Sequence, residues 1–192
     1  ENISDLIDTD GGEIQISEAG AIEHLFPMLG SLIVFAANGI WSIQGGSQTE
    51  GFSATNYSIT AVASINAVNF RTIISVEGSP VFWGDNGIYA LQPRQNYAGF
   101  EVQNIIDKKI QSFYDSIPAL SKAHATGIYD RVRKTIIWMY PSEVFNINPY
   151  ACNKLLHLDT VLGAYYPYTI PSPDSGTPFI CDVFIIRGLV TS

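Results

Sequence analysis

Asp8, Asp10 and Glu13, set around Gly11-Gly12, open like a calcium loop. Calcium coordination of this kind needs a twelve-residue run of oxygen ligands closed by a distal glutamate. No such run follows, so a solvated turn is the expected role. His24, His124 and His157 are widely spaced and fall in neither a His-x-x-x-His nor a Ser-His-Asp pattern. Each is expected to pack or to meet solvent, and His157, between Leu156 and Leu158, to lie on the outer face of a strand. Cys152 and Cys181 are too few for a disulfide framework and have no histidine at ligand spacing, so both read as buried thiols. The 18 carboxylates permit pairs at glycosidase distance, but no motif selects one. No dinucleotide-binding glycine pattern, phosphate-binding loop or nucleophile elbow is present. The reading is a non-enzymatic chain with no catalytic, cofactor-binding or metal-binding residues.

Ser172-Pro-Asp-Ser-Gly-Thr-Pro-Phe179 has the spacing Ser-x-Asp-x-Gly-x-x-aromatic. It resembles the Asp-box in the hairpin turns of sialidases and related propellers, where the carboxylate holds backbone amides. Here Phe stands where Trp is usual, and there is one copy, so the resemblance implies a fold and not a site. Trp41, Trp83, Trp138, Tyr89, Tyr165, Tyr166 and Tyr168 fall on or beside strand-like runs. Those on the hairpins described next are expected to pack between stacked sheets. Tyr165, Tyr166 and Tyr168 are expected to form an exposed patch, an interface or a sugar platform.

The elements that must carry these aromatics show an internal repeat. Ser31–Gln44 contains Val-Phe, Asn-Gly-Ile, an aromatic, a small residue, an aliphatic and Gln, and Ser79–Gln92 contains the same order. Gly39 and Gly87 lie 48 positions apart, and aligning the Val-Phe pairs places one extra residue before the second turn. Asn38-Gly39 and Asn86-Gly87 are expected to be structural hairpin turns, because Asn-Gly adopts the positive φ that tight turns require. Ile40, Ser42 and Gln44 alternate with Trp41 and Ile43, the period of a strand with one buried face.

Further strands are expected at Tyr57–Ile65, Arg71–Val76, Gly127–Lys134 with Thr135–Tyr140, Lys154–Leu158 with Ala164–Ile170, and Phe179–Ile186. One short helix is expected over Asn104–Ile117, closed by Pro118, with a turn of helix near Ala21–Met28 broken at Pro27. The fold class is therefore all-β, β-propeller-like stacked hairpins or blades, read as a single segment over residues 1–192 and as a fragment of a larger propeller-containing protein.

Hydrophobic residues make up 46% of the chain and charged residues 15%, below the share of about 25% usual in soluble domains. That imbalance points either to deep burial or to surface destined for other chains. The net charge is −8, and Lys and Arg form no cluster along the sequence. Gripping nucleic acid needs cations along the phosphates, so specific DNA or RNA binding is not expected. An acidic wall past which DNA slides is compatible with the same Coulomb argument. No apolar run is long enough to span a membrane.

The stretch Leu32–Ile43, then Gly51-Phe-Ser-Ala-Thr-Asn-Tyr-Ser-Ile59, then Pro80–Leu91 resembles the tail nozzle proteins of short-tailed bacteriophages, also called tail tubular protein B. Ile105–Tyr114, Gly127-Ile-Tyr-Asp130 and Thr135-Ile-Ile-Trp138 follow in similar order, so the resemblance covers residues 13–140. It implies a propeller-rich virion subunit in a sixfold homo-oligomeric ring, assembled in the host cytoplasm. Its partners would be the tail adaptor, portal proteins and tail fibres, with DNA passing through without specific binding. Family chains are much longer, and this one holds at most about four blades at a 48-residue period. The alternatives are a propeller-type carbohydrate-binding module that recognises a receptor and, behind it, a glycoside hydrolase fragment.

Overall fold

The structure is a computed structural model that describes residues 13–45, 56–95, 98–142 and 152–170. The expected carboxylate turn at Asp8 and Asp10, Gly51–Thr55, the Asp-box stretch, the strand at Phe179–Ile186 and Cys181 lie outside the described residues.

The fold is all-β. Among the described residues, twelve strands form three antiparallel four-stranded sheets, with two short helices. The first sheet is β1 (Ile22–Met28), β2 (Ser31–Ala36), β3 (Gly39–Gly45) and β4 (Tyr57–Ala63). The second is β5 (Ile74–Val76), β6 (Ser79–Gly84), β7 (Gly87–Pro93) and β8 (Phe100–Asn104), and the third is β9 (Thr126–Asp130), β10 (Thr135–Tyr140), β11 (Lys154–Asp159) and β12 (Ala164–Thr169). Within every sheet the spatial order is the chain order, the up-and-down meander that a propeller blade uses. The chain groups into two compact units: Glu1–Asn66 with Pro93–Glu101, and Ala67–Gln92 with Val102–Ser192.

The 48-residue repeat is real in three dimensions, but its register differs from the sequence alignment. Ala36 pairs with Gly39, and Gly84 with Gly87, each across a two-residue loop. The copies therefore superpose without an insertion: Phe35 matches Trp83, and Val34 matches Phe82. Two further tight turns carry positive φ within their loops. Leu29 and Gly30 (φ 50° and 76°) join β1 to β2, while Glu77 and Gly78 (φ 51° and 90°) join β5 to β6. These are the loops with both central residues at φ > 0 that match the right-handed strand twist, and they too are 48 apart.

The repeated Asn-Gly glycines also serve a packing need. A Cβ on Gly39 would sit 2.5 Å from the Ala63 carbonyl oxygen, and one on Gly87 would sit 2.8 Å from Asn104 Nδ2. The end of another strand closes over both glycines, and Gly39 also takes the expected positive φ (147°), whereas Asn38 and Asn86 do not.

Ile40, Trp41, Ser42 and Ile43 are all buried, so β3 is covered on both faces and not on one. Ala21–Met28 is not helical. From Ile22 it is strand β1, in which His24, Phe26 and Met28 turn inward and Glu23, Leu25 and Pro27 outward. Pro27 has no N–H to give, which an edge strand tolerates. The helix expected over Asn104–Ile117 shrinks to α1 (Gln111–Asp115), and a second short helix, α2 (Ala119–Ala123), follows Pro118. Asn104 Oδ1 accepts from the Ile106 N–H at 3.0 Å, and Lys108 has φ 61°. Both hold residues 104–108 out of a right-handed helix. The third and fourth hairpins form as expected, β9–β10 and β11–β12.

Gly39→Ala is expected to destabilise by roughly 2–3 kcal/mol, because the opposing group is a backbone carbonyl. Gly87→Ala should cost less, since the Asn104 side chain can swing away. Gly30→Ala meets no atom within 4 Å and should cost only the left-handed conformation, about 1 kcal/mol. Urea unfolding of the three variants tests the order.

Candidate functional site

Sheets two and three belong to the same unit and share one core, with Trp83 and Trp138 at its centre, both 0% exposed. The indole rings lie 5.8 Å apart, Tyr140 is tilted against Trp83 at 5.6 Å, and Tyr114 meets Trp83 edge-on at 5.2 Å. This edge and tilted geometry suits the ring quadrupoles. Gly127 makes room, since a Cβ there would sit 2.5 Å from Trp138 Cδ1. Trp138 Nε1 donates to the Thr72 carbonyl at 3.3 Å. The expected packing role thus holds for Trp83, Trp138 outside the repeat packs with it, and Trp41 is buried within the first unit beside Val34, Ala36 and Ile43.

The β6–β7 turn is gripped by side chains from the helical segment. Tyr114 Oη donates to the Gly84 carbonyl at 2.6 Å, Lys122 Nζ to Asp85 O at 3.2 Å, and Gln111 Nε2 to Asn86 O at 2.9 Å. Three successive carbonyls each gain a donor in this way, the buried one of Gly84 and those of the exposed Asp85 and Asn86. Lys122 Nζ also stands 4.2 Å from the centre of the Tyr114 ring, a cation–π contact. Burial holds its ammonium below the ordinary lysine range, with Asp115 and Asp85 opposing the shift. Burial pushes the Tyr114 phenol up, with smaller contributions from Tyr89, Asp85 and Asp115, so it stays a neutral donor. Asn86 is thus part of an anchored turn. Its counterpart Asn38 donates from Nδ2 to Glu18 O at 3.1 Å. The sequence reading singled out both asparagines but missed Tyr114, Lys122 and Gln111, whose only signal was a polar and aromatic run that looked helical.

The three tyrosines of β12 do not form one patch. Strand alternation sends Tyr165 inward, where it packs on the shared core and donates from Oη to Ile105 O at 3.1 Å. Burial pushes its phenol up to about 12. Tyr166 and Tyr168 are 44% and 51% exposed. Tyr168 lies tilted against His157 at 4.8 Å and, with Pro167, Thr169, Lys154, Tyr140 and Pro118, borders an open cleft of ≈ 420 Å³. Lys154 Nζ is held by Thr169 Oγ1 at 2.8 Å. The cleft offers an aromatic face, a cation and hydroxyls, which suit a polar ligand that stacks on a ring. His157 is half-buried on its strand, and Cys152 is buried as expected. No group of three His, Cys, Asp or Glu side chains able to hold a metal occurs among the described residues. None of their helices is long and apolar enough to cross a membrane.

Tyr114→Phe should lower stability by about 1–3 kcal/mol, because the buried Gly84 carbonyl loses its donor, while leaving the circular dichroism spectrum unchanged. Burial also holds the imidazoles of His24 and His157 below their ordinary value of 6.5. The unfolded chain then takes up these protons first, so their contribution is present above 6.5 and is lost as the pH falls. Burial raises the Glu23 carboxyl, which works in the opposite direction. The informative comparison is therefore thermal unfolding of the parent against His24→Gln/His157→Gln, which should flatten the loss below pH 6.5. No protein-family model matches this chain, and no curated protein matches its sequence.

Proposed function

We propose that this chain is a structural component of a bacteriophage tail nozzle, a subunit of a homo-oligomeric ring through which DNA passes. The observation that carries the reading is architectural. Three consecutive four-stranded meanders follow one another, two related by a 48-residue repeat and two packed through aromatic faces. Such stacking makes a stiff wall without a reacting centre, a geometric role. The resemblance over residues 13–140 points the same way. The net charge of −8 also fits a conduit that repels a polyanion instead of holding it. Assembly with adaptor, portal and fibre proteins, and a place in the virion, belong to the same proposal.

A second reading has a specific observation behind it. The exposed Tyr168 that lines the cleft, with the exposed Tyr166 on the same strand, would suit a carbohydrate, making the module a receptor reader.

Electron microscopy of the assembled protein separates the two. A sixfold ring with an open channel is expected, and Tyr166→Ala/Tyr168→Ala should leave both it and phage adsorption unchanged. A solitary closed propeller, together with glycan binding that the tyrosine variant abolishes, would replace the nozzle with the lectin-like module.

A further inference from the structure

The charge of −8 is not spread evenly. Residues 1–66 with 93–101 hold nine of the 18 carboxylates and, in Arg94, one of the ten Lys and Arg residues, so this unit carries all of the net charge. The other unit has nine of each and is neutral. Five of its cations fall in two short stretches, Lys108-Lys109 and Arg131–Lys134.

The fold brings those stretches together at one end of the third sheet. The β9–β10 and β11–β12 turns lie side by side, because Thr160 donates from its N–H and its Oγ1 to the Lys134 carbonyl, at 2.9 and 2.7 Å. Lys109 Nζ joins them by donating to Gly163 O at 3.2 Å. Each turn is locked from inside by an aspartate. Asp130 Oδ1 accepts from the N–H groups of Val132 and Arg133, and Asp159 Oδ1 from those of Val161 and Leu162. With the amides turned inward, the side chains point out: Val132, Val161 and Leu162 are 83%, 74% and 72% exposed. Arg131 and Arg133 stand beside them, Arg133 in a long contact of 3.8 Å with Asp130, and Lys134 pairs with Glu77. Three exposed aliphatic side chains thus stand among Lys109, Arg131, Arg133 and Lys134, while Asp130 and Asp159 are turned onto their own loop amides and Glu77 onto Lys134, leaving a cationic excess that is unusual surface on an acidic protein.

The acidic unit has the converse surface. On the edge strand β1 the outward residues include Ile22, Glu23 and Leu25, with Ile22 and Leu25 half or more exposed. The exposed Glu18 precedes them in a turn tied to Asn38. Pro27 and the irregular register between Ile22 and His24 blunt this edge against strand addition. Contact there would run through side chains.

We propose that the basic aliphatic tip of one copy docks on the acidic aliphatic β1 surface of a second copy. The two surfaces differ, so the contact is head-to-tail and propagates from copy to copy, closing into a ring where the rotation allows. The inference specifies the subunit contact within the ring reading above. Its carrying argument is complementarity of both charge and apolar area, which orients partners and suppresses wrong ones.

The test is a charge swap in the full chain, read by sedimentation and native mass spectrometry. Arg131→Glu/Arg133→Glu makes the tip acidic, and Glu18→Lys/Glu23→Lys makes the β1 surface basic. All four side chains are exposed, so both proteins should fold. The parent is expected to self-associate in a way that salt weakens. Each variant alone should associate at least about tenfold more weakly, and an equimolar mixture of the two should recover association by alternating. Val161→Ser/Leu162→Ser, which leaves charge untouched, should also weaken it. Undiminished association of both charge variants, or a parent that stays monomeric, overturns the contact, as does binding of the tip to anionic vesicles with no self-association. A ring that persists in Arg131→Glu/Arg133→Glu overturns the contact yet leaves the nozzle reading standing. Salt-sensitive association that closes no ring supports the contact and counts against the nozzle.

Discussion

Trp83 and Trp138, 5.8 Å apart, sit where the second and third sheets must find each other. A meander has two faces, and a sheet apolar on both needs cover on both. Large flat rings fill the space between two twisted sheets better than aliphatic chains, and they fix the approach through edge and tilted contacts. The rest of the second unit accommodates that contact. Gly127 gives up its side chain to admit the Trp138 ring, Tyr140 and Tyr114 close around Trp83, and Ile106 and Ile117 seal the core.

Packing of this kind also depends on holding the β6–β7 turn in place. The carbonyls of Gly84, Asp85 and Asn86 are claimed one after another by Tyr114, Lys122 and Gln111. The helical segment therefore acts less as a helix than as a polar clasp. The buried lysine is tolerable because it gains both a carbonyl and an aromatic face, which offset part of its desolvation. At the opposite extreme, the Asp130 and Asp159 turns satisfy their amides locally, so their side chains are released outward.

That division matters for what the chain can do. Cohesion comes from aromatics and buried hydrogen bonds, which leaves most charges free to act at longer range. The two units differ in charge: one holds nine carboxylates and a single cation, while the other has nine of each and gathers several of its cations at the β9–β10 and β11–β12 turns.

Strand alternation, the 48-residue repeat and the dearth of helix determined the all-β class, and β10, β11 and β12 could be placed from residue types alone. So could the burial of Cys152 and the packing role of Trp83. The register of the repeat could not. Val-Phe matched Val-Phe by letters, whereas the pairing of Ala36 with Gly39 and Gly84 with Gly87 matches Phe35 to Trp83. The positive φ of Gly39 was legible in its Asn-Gly pair, but the neighbouring strand end within 3 Å of Gly39 and of Gly87 exists only in three dimensions. The tight turns at Leu29-Gly30 and Glu77-Gly78 were overlooked because their first residues are not turn formers, and tertiary pairing imposed positive φ on them. Tyr165 parted from Tyr166 and Tyr168 once the strand's two faces were assigned. The basic tip emerged only when the fold joined residues 108–109 to residues 131–134. Local propensity follows the order of residues along the chain, whereas charge and contact depend on their distance in space, and that distance only the tertiary structure decides.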